Sequence, residues 1–276
     1  MRDMTSEGAV GLPAPLRRER MLERIAVGGF ARVGELAEAF GVSEVTVRTD
    51  LDVLARHGDV DRVHGGAIPK GALARMESPF EESRNSYAEE KSAIAALAAG
   101  MVSSGDSVIL DVGSTTAAIA GELAARDDLV ELTVVTNGLS IALELERASE
   151  RIRVIVTGGT LRPLQHSLVD PLAGVVLDRI TADIAFIGCN GVDAAHGVTN
   201  INLPEAELKR LMIRRSARTV VVADSSKIGV RHIGRVASLD EVDALITGQD
   251  APRPALAGIR DAGVRVGLAD PAAVRV

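Results

Sequence analysis

A chain of 276 residues is long for one domain and suits two, and with 46% apolar but only 2% aromatic residues its core must be built from aliphatic side chains. No run of about 18 apolar residues exists and the start M-R-D-M-T-S-E-G lacks an apolar stretch, so we expect neither a membrane span nor a signal peptide. The net charge of -7 excludes a uniformly basic nucleic-acid binder, although residues 16–70 carry as many basic as acidic side chains.

The chain begins with a segment that predicts little order. Residues 1–15 are rich in Gly, Pro and polar residues, which is typical of a disordered tail. Residues 17–27 place apolar side chains at helical spacing and predict the first helix. Arg17 and Arg18 stand at the start of that helix, where they are either solvated or available to DNA phosphates.

Two short helices joined by a tight turn are predicted next. Gly41 is placed to end the first of them in a left-handed conformation, and Ser43 is a good N-cap for the second. Val47, Leu51 and Leu54 then form an apolar stripe that faces a core, while the opposite face carries small polar and charged side chains. Ordinary packed helices show the same periodicity, but the pattern also fits a helix-turn-helix, whose second helix enters the major groove of DNA.

A short hairpin is predicted directly behind these helices. The sequence D-V-D-R-V-H-G-G-A-I contains alternating apolar residues and the turn pair Gly65 and Gly66. Behind a helix-turn-helix such a hairpin is a wing, which brings Arg62 and His64 near the flanking DNA backbone; a surface hairpin without a partner is the alternative. The predicted DNA contacts of this domain, residues 16–70, are Arg17, Arg18, Arg32, Ser43, Glu44, Thr46, Arg48, Thr49, Arg62 and His64.

Residues 18–68 resemble the DNA-binding domain of the DeoR family of bacterial transcriptional repressors. The resemblance rests on Arg18 and Leu22 in the first helix, on S-E-V-T-V-R-T-D-L from Ser43 to Leu51, and on V-H-G-G-A at positions 63–67. It implies a small winged helix-turn-helix domain that binds double-stranded operator DNA.

The remainder of the chain predicts a linker followed by an α/β domain. Residues 71–87 mix Pro, Gly, Ser and charged residues without a period and predict the linker. In residues 88–276, short apolar runs alternate with helical stretches, which is typical of a mainly parallel sheet flanked by helices. The predicted strands are residues 107–111, 132–136, 153–157, 183–188, 219–224, 244–247 and 265–268, and the helices between them include residues 115–125, 139–146 and 204–217.

Small and polar residues cluster where five consecutive predicted strands end. Ligands of parallel sheets bind beyond the carboxyl ends of the strands. The loop D-V-G-S-T-T at residues 111–116 opens a helix whose free N–H groups favour an anion such as phosphate, but it is neither a Walker loop nor a dinucleotide fingerprint. Lys227 supplies a point charge for such an anion, while Glu205 and Lys209 are either a surface pair or part of the pocket. The predicted effector contacts are Asp111, Gly113, Ser114, Thr115, Thr116, Thr136, Asn137, Gly158, Gly159, Gly188, Asn190, Glu205, Lys209 and Lys227.

Residues 91–229 are similar to the sensor domain of the DeoR family. The motifs that carry this are D-V-G-S-T-T, T-N, the pair Gly158 and Gly159, D-I-A-F-I-G-C-N-G-V, and the run E-A-E-L-K-R-L-M-I that leads to A-D-S-S-K. The resemblance implies a fold similar to ribose-5-phosphate isomerases. It also implies a repressor whose DNA affinity is changed by a phosphorylated sugar or a similar anionic metabolite.

Three functional hypotheses remain open at this point. The favoured one is a ligand-responsive transcriptional regulator that is not an enzyme and acts as a homo-oligomer, a dimer or tetramer, because two linked readers strengthen DNA binding. A second is a sugar-phosphate isomerase fused to a DNA-binding module, with Asp111, Asp193, Glu205 and Lys227 as proton-transfer groups. The third is a DNA binder without an effector.

Neither a metal nor a cofactor is expected. The spacing of His166, Cys189 and His196 does not match metal ligands, and Ser114 has no base beside it in the sequence, so no catalytic residue is predicted. The single cysteine cannot form an internal disulfide and fits a reducing cytoplasm.

Overall fold

The structure is a computed structural model that describes residues 12–28, 31–63, 65–69, 77–169 and 171–274. The chain divides into two compact units, Met1–Glu77 and Ser78–Val276. The predicted tail up to residue 11 and the first part of the predicted linker, residues 71–76, lie outside the described residues. The two units are called the first and the second unit below.

The first unit contains helices around a small antiparallel sheet with the strand order β1-β3-β2. Apolar side chains from all of its helices, among them Met21, Leu36 and Leu51, are fully buried in one core. The predicted helix-turn-helix and hairpin are therefore confirmed. The elements are α1 (Ala14–Gly28), β1 (Ala31–Arg32), α2 (Val33–Phe40), α3 (Glu44–His57), β2 (Val60–Val63) and β3 (Gly66–Pro69).

Helix α1 begins at Ala14, three residues earlier than predicted, so the predicted tail does not extend to residue 15. Pro13 and Pro15 were interpreted as signs of disorder. A proline is tolerated in the first turn of a helix, where its missing N–H is not needed, and the Pro13 carbonyl accepts from the Arg17 N–H at 2.9 Å.

The turn between α2 and α3 forms for the reasons that the sequence indicates. Gly41 adopts a left-handed conformation with φ 62°, and its N–H closes the end of α2. Ser43 then caps α3 through its side chain. Val47 and Leu51 are fully buried and Leu54 is 5% exposed, so the predicted apolar stripe faces the core.

The second unit is a seven-stranded parallel sheet with helices on both faces and the strand order β15-β14-β12-β9-β4-β5-β6. Successive residues of its strands point into two different cores: Val108 and Leu110 pack with helices α5 to α7, and Ile109 with helices α8 to α10. The elements are α4 (Phe80–Asn85), α5 (Ala88–Ala99), β4 (Ser107–Leu110), α6 (Ser114–Ala125), β5 (Leu132–Thr136), α7 (Leu139–Glu146), β6 (Ile152–Val156), β7 (Thr160–Arg162), β8 (Ser167–Val169), α8 (Leu172–Leu177), β9 (Ile184–Gly188), β10 (Gly191–Asp193), β11 (Gly197–Asn200), α9 (Leu203–Arg214), β12 (Thr219–Val222), β13 (Gly234–Ala237), β14 (Ala244–Gly248), α10 (Arg253–Asp261) and β15 (Arg265–Ala269).

All seven predicted strands exist, each within two residues of its predicted bounds at either end. The sequence did not predict the antiparallel hairpin of β7 and β8 or the antiparallel sheet β10-β11-β13. Their strands have only three or four residues, which is too short for an alternating pattern to stand out.

The predicted linker over residues 71–87 is wrong in its second half. Residues Phe80–Asn85 form α4, which belongs to the second unit, and the ring of Phe80 is 4% exposed. One buried aromatic anchors a helix of six residues, and six residues cannot establish a helical period in the sequence.

Candidate nucleic-acid interface and effector site

The start of α3 is held by a bond between two of the predicted DNA contacts. The Ser43 Oγ accepts from the Thr46 N–H at 3.2 Å and lies 2.9 Å from the Thr46 Oγ1. The cap satisfies one of the free N–H groups of the first turn, as the sequence predicts. It therefore fixes where the exposed face of α3 begins.

The outer face of α3 carries charge in an exposed pair. Arg48 Nη2 donates to Glu44 Oε2 at 2.7 Å, and both side chains are more than half exposed. Thr49 Oγ1 donates to the Val45 carbonyl at 3.0 Å, and the Val45 side chain is 68% exposed. An exposed pair of this kind is worth less than about 1 kcal/mol, so Arg48 can exchange Glu44 for DNA at small cost. Val45 adds an apolar contact surface that the sequence analysis did not single out.

Arg17 and Arg18, two of the predicted DNA contacts, are bonded to Asp50 and to backbone carbonyl groups within the first unit. Arg17 Nε donates to Asp50 Oδ2 at 2.7 Å, and Arg17 Nη1 donates to the Leu12 carbonyl at 3.1 Å. Arg18 Nε donates to the Ala14 carbonyl at 3.1 Å and lies 3.8 Å from Asp50 Oδ1. Because Asp50 is 4% exposed, both guanidinium groups neutralise a buried carboxylate and fix α1 on α3.

The other basic residues predicted to contact DNA are Arg32, Arg62 and His64. Arg32 is exposed and lies 3.2 Å from the Glu35 carboxylate. Arg62 donates to Asp52 Oδ1 at 3.0 Å and to the Gly66 carbonyl at 2.7 Å, and so ties the hairpin to α3. His64 lies outside the described residues.

In the second unit, the predicted effector contacts follow from the topology of the sheet. The chain order of the strands reverses between β4 and β9, and parallel sheets open a crevice at such a point. Asp111 follows β4 and Gly188 ends β9. The Gly188 N–H donates to Asp111 Oδ2 at 3.0 Å across this point. Asp111, which the sequence predicts as an effector contact, therefore lies at the switch point of the sheet.

Asp111 and Lys209 form a buried ion pair. Burial, opposed by the Lys209 charge, raises the pKa of Asp111 to about 6. Burial alone would lower the pKa of Lys209, but the carboxylates of Asp111 and Glu205 outweigh it and raise that pKa. Asp111 Oδ1 has no hydrogen-bond partner among the described residues. Lys209 is thus buried beside Asp111 and is not one half of a surface pair.

Glu205, at the start of α9, connects that helix to the β7–β8 hairpin close to Asp111 and Lys209. Its carboxylate accepts from Arg162, from Ser167 Oγ at 2.6 Å and from Asn200 Nδ2 at 3.4 Å. Its N–H is capped by Asn202 Oδ1 at 3.1 Å. Arg162 was missed by the sequence analysis, although a basic residue three positions beyond the Gly158 and Gly159 pair was a usable signal.

The loops after β5 and β6 are structural supports for the site. Asn137 Oδ1 accepts from the Val112 N–H at 2.9 Å, and Asn137 Nδ2 donates to the Leu168 carbonyl at 3.2 Å. Thr136 Oγ1 accepts from the Gly138 N–H at 3.0 Å.

Gly159 supports the site through its lack of a side chain. It has φ 124°, and a Cβ there would collide with the Val169 carbonyl oxygen, so a glycine is required where β8 passes. Gly158, with φ 71°, also adopts a left-handed conformation.

The N-terminus of α6 has no side-chain cap within the part of the chain that the structure describes. Gly113 precedes the helix. Thr116 Oγ1 donates back to the Gly113 carbonyl at 3.0 Å, while Thr115 is buried and Ser114 half-buried. A helix start without a cap presents N–H groups and a partial positive charge.

Lys227 supplies a second cation near the end of β9. Lys227 lies in the turn Ser225–Lys227 after β12 and makes no ion pair within the described ranges. Burial raises the pKa of the Cys189 thiol to about 12 against the opposing charges of Lys209 and Lys227. Asn190 Oδ1 accepts from the Ile201 N–H at 2.9 Å, which fixes the loop after β9. The strand-end site is defined here as Asp111, Arg162, Glu205, Lys209, Lys227 and the N-terminus of α6.

The described residues contain neither a metal-binding cluster nor a helix that could span a membrane. No group of three His, Cys, Asp or Glu side chains lies close enough together there to hold a metal ion. No helix in that part of the chain is long and apolar enough to cross a membrane.

Comparison with known proteins assigns both units to one family. Residues 17–70 match the DeoR-like helix-turn-helix domain, and residues 86–249 match the DeoR C-terminal sensor domain. The chain is 37% identical over 252 residues to the HTH-type transcriptional regulator YulB of Bacillus subtilis, covering 91% of this chain and 95% of that protein. It is 30% identical to the glycerol-3-phosphate regulon repressor of Escherichia coli K12, over 86% of this chain and 91% of that protein.

Among solved structures, ribose 5-phosphate isomerase A from Methanocaldococcus jannaschii is similar over 51% of this chain and 55% of that chain, with a TM-score of 0.39 and 20% identity. The two family matches and the full-length relatives agree with the winged helix-turn-helix and the parallel sheet described above. The chain therefore belongs to the DeoR family and is a DNA-binding transcriptional regulator with a C-terminal sensor domain.

Proposed function

We propose that this regulator represses an operon of carbohydrate metabolism and is controlled by a phosphorylated sugar or a related anionic metabolite at the strand-end site. The observation that carries the proposal is the convergence of buried charged groups on the switch point of the parallel sheet. Asp111 meets Glu205 and Lys209 of α9 there, although Asp111 and Lys209 are 98 positions apart in the sequence. Buried charges are costly unless they are paired, so a site that retains them favours recognition of a polar, charged ligand.

The chemistry of the strand-end site suits a sugar phosphate. Lys227 and the uncapped start of α6 favour a phosphoryl group, because both offer positive charge and N–H donors. Asp111 and Glu205 offer carboxylate oxygens to sugar hydroxyl groups. The name of the glycerol-3-phosphate regulon repressor supports a phosphorylated polyol as the class of effector.

On the DNA side, we propose that α3 enters the major groove and that the β2–β3 hairpin follows the flanking backbone. Arg48 is the residue proposed to contact a base edge, with Arg62 and Arg32 near phosphates. Two copies on one operator supply the affinity that a first unit without net positive charge lacks, so we propose a homo-oligomer. The proposed contacts on α3 and in the turn before it are Ser43, Glu44, Thr46, Arg48 and Thr49.

A thermal-shift screen combined with DNA-binding measurements tests the effector proposal. Ribose 5-phosphate, glucosamine 6-phosphate, glycerol 3-phosphate and inorganic phosphate are added separately to the full chain. Selective binding to the folded state raises Tm, and a controlling effector also changes the affinity for operator DNA by at least fivefold. The proposal fails if no phosphorylated compound changes either quantity, or if operator DNA binds no more tightly than random duplex.

We propose further that the site senses its ligand without converting it. Asp193, one of the candidate proton-transfer groups, accepts hydrogen bonds from the Ala195 and His196 N–H groups at 3.0 Å and therefore serves a turn. Glu205 already accepts from three donors, which makes it a poor proton acceptor for a substrate. Asp111 is paired with Lys209 through Oδ2, and its Oδ1 is left to accept a ligand hydroxyl group. Measurable turnover of ribose 5-phosphate or glucosamine 6-phosphate by purified protein would contradict this.

A further inference from the structure

The short helix α4 is the first element of the second unit, and it follows directly on Glu77, where the first unit ends. A helix of six residues is not stable by itself, so its position depends on the contacts that it makes. Phe80 is its only fully buried side chain among the described residues. The body of α4 packs against α6, the helix that starts at Ser114. Its two ends are held by residues outside the strand-end site that connect to different members of that site.

The N-terminal end of α4 is held by the β7–β8 hairpin. The ring of Phe80 packs against His166, with centroids 5.1 Å apart, and His166 Nε2 lies 3.7 Å from the Glu81 carboxylate. Gln165 Nε2 donates to the Ser78 carbonyl just before the helix. Gln165 and His166 form the turn of the hairpin.

The same hairpin reaches the strand-end site through its two strands. Arg162 ends β7 and Ser167 begins β8, and both donate to the Glu205 carboxylate. The β7–β8 hairpin therefore connects the Glu205 carboxylate to the start of α4.

The C-terminal end of α4 is held by a buried lysine. Lys91 is 5% exposed, and its Nζ donates to the Ser83 carbonyl at 2.5 Å and to the Ser86 carbonyl at 2.6 Å. The same Nζ lies 3.7 Å from Asp224 Oδ2. Asp224 begins the turn that carries Lys227, so the end of α4 is connected to the second cation of the strand-end site.

We infer that α4 is the output element of the strand-end site, and that Lys91 and His166 are positioning residues that couple effector binding to the first unit. The inference rests on the proposed function, since it takes the strand-end site to be where the effector binds. An effector that binds to Glu205 shifts the β7–β8 hairpin, and one that binds to Lys227 shifts the turn that begins at Asp224. Either shift changes how α4 is held, and only Ser78 and Pro79 separate α4 from Glu77, the last residue of the first unit. Coupling requires such an element with two arrangements whose equilibrium both sites bias.

One experiment tests the route without any effector. Amide hydrogen exchange of residues 80–86 is measured in the full chain for wild type, Lys91→Met, His166→Ala and Glu205→Gln. All three substitutions are expected to speed exchange in α4 at least fivefold, because each removes a contact that holds the helix directly or through the hairpin. Helix α10, whose buried side chains belong to the core on the other side of the sheet from α5, serves as the internal reference. Unchanged exchange in α4 for Glu205→Gln overturns the route, whether or not an effector is ever found.

A second experiment tests the coupling itself. The member of the phosphate panel that gives the largest rise in Tm is used as the probe for wild type, His166→Ala and His196→Ala. His196 is a matched control, because it is also a partly exposed histidine next to a carboxylate, in the Asp193 turn. His166→Ala is expected to keep probe affinity and probe-free DNA affinity within about twofold, yet to reduce the probe-induced change in DNA affinity at least fivefold. A merely structural role predicts parallel losses in all three quantities or in none, and either result overturns the inference.

Discussion

The two units handle charge in opposite ways. In the first unit the candidate DNA contacts are exposed pairs: Arg48 with Glu44, and Arg32 with Glu35, all at least half exposed. In the second unit the corresponding charges are removed from water, since Asp111 is fully buried and Lys209 is 3% exposed. Exposed pairs contribute little and re-pair easily, whereas buried pairs are held in one geometry and are costly to break.

This difference matches the two tasks. A surface that binds DNA must release its basic side chains from their carboxylate partners at low cost, so that they can contact phosphates and base edges. Solvent screening of the exposed pairs allows that. A pocket that distinguishes one small anion from another requires charges that do not move before the ligand arrives. The buried Asp50 with Arg17 shows that the first unit also contains a fixed pair, which joins α1 to α3.

The largest expected effect comes from removing one buried charge, which tests whether buried pairs contribute more to stability than exposed ones. Lys209→Met leaves the Asp111 carboxylate buried without its cation, and the expected loss is about 3–5 kcal/mol in the free energy of unfolding. Arg147→Met is the matched control, because Arg147 pairs with Glu144 on the surface, and its expected loss is below about 1 kcal/mol. Urea titrations of both variants measure the difference. Equal losses would show that the two kinds of pair do not differ.

The pH dependence of stability tests the burial of Asp111 separately. Asp111 has its folded pKa raised from 3.8 to about 6, so the folded state takes up this proton at a higher pH than the unfolded state. Its contribution to stability therefore grows as pH falls from about 6 towards 4 and is lost as pH rises through that window. The free energy of unfolding of wild type minus that of Asp111→Asn should rise by about 2–3 kcal/mol between pH 6 and pH 4. A flat difference across this range would contradict the burial argument.

On the exposed side, Arg48→Ala tests whether a weakly held charge is used for recognition. A base contact by Arg48 predicts a loss of about 1–3 kcal/mol in operator binding with unchanged protein stability. Arg20→Ala is the control, since Arg20 is exposed and pairs with Glu23 three residues away on α1. Fluorescence anisotropy at one fixed salt concentration measures both. An Arg48 variant that binds operator like the control would remove α3 from the interface.

The smallest expected effect concerns the start of α3. Ser43→Ala removes the side-chain acceptor of the Thr46 N–H and should cost about 1 kcal/mol of stability in the first unit. Ser43→Gly should cost only a few tenths of a kcal/mol, because glycine is tolerated at an N-cap. Thermal unfolding of the two variants decides whether Ser43 is a cap. Identical Tm values for Ser43→Ala and wild type would assign no capping energy to Ser43.

Much of the fold could be predicted because local patterns specified it. Gly41, Ser43 and the stripe of Val47, Leu51 and Leu54 each act within one or two turns of helix, and each is found where expected. The seven strands were recognisable because strands buried on both faces are continuous apolar runs. Helix α4 and the β7–β8 hairpin were missed because a few residues held by distant partners leave no period in the sequence.

By itself the sequence determined the two domain types, the strand ends and most of the residues of the candidate site, since spacing and residue chemistry are local properties. Only the tertiary structure decided which charges are paired with which: Arg17 and Arg18 with Asp50, Arg162 with Glu205, and Lys209 with Asp111. The physical reason is that an ion pair between residues 32 to 98 positions apart depends on how helices and strands pack. Burial then turns such a pair from a minor surface contact into a fixed feature of the site.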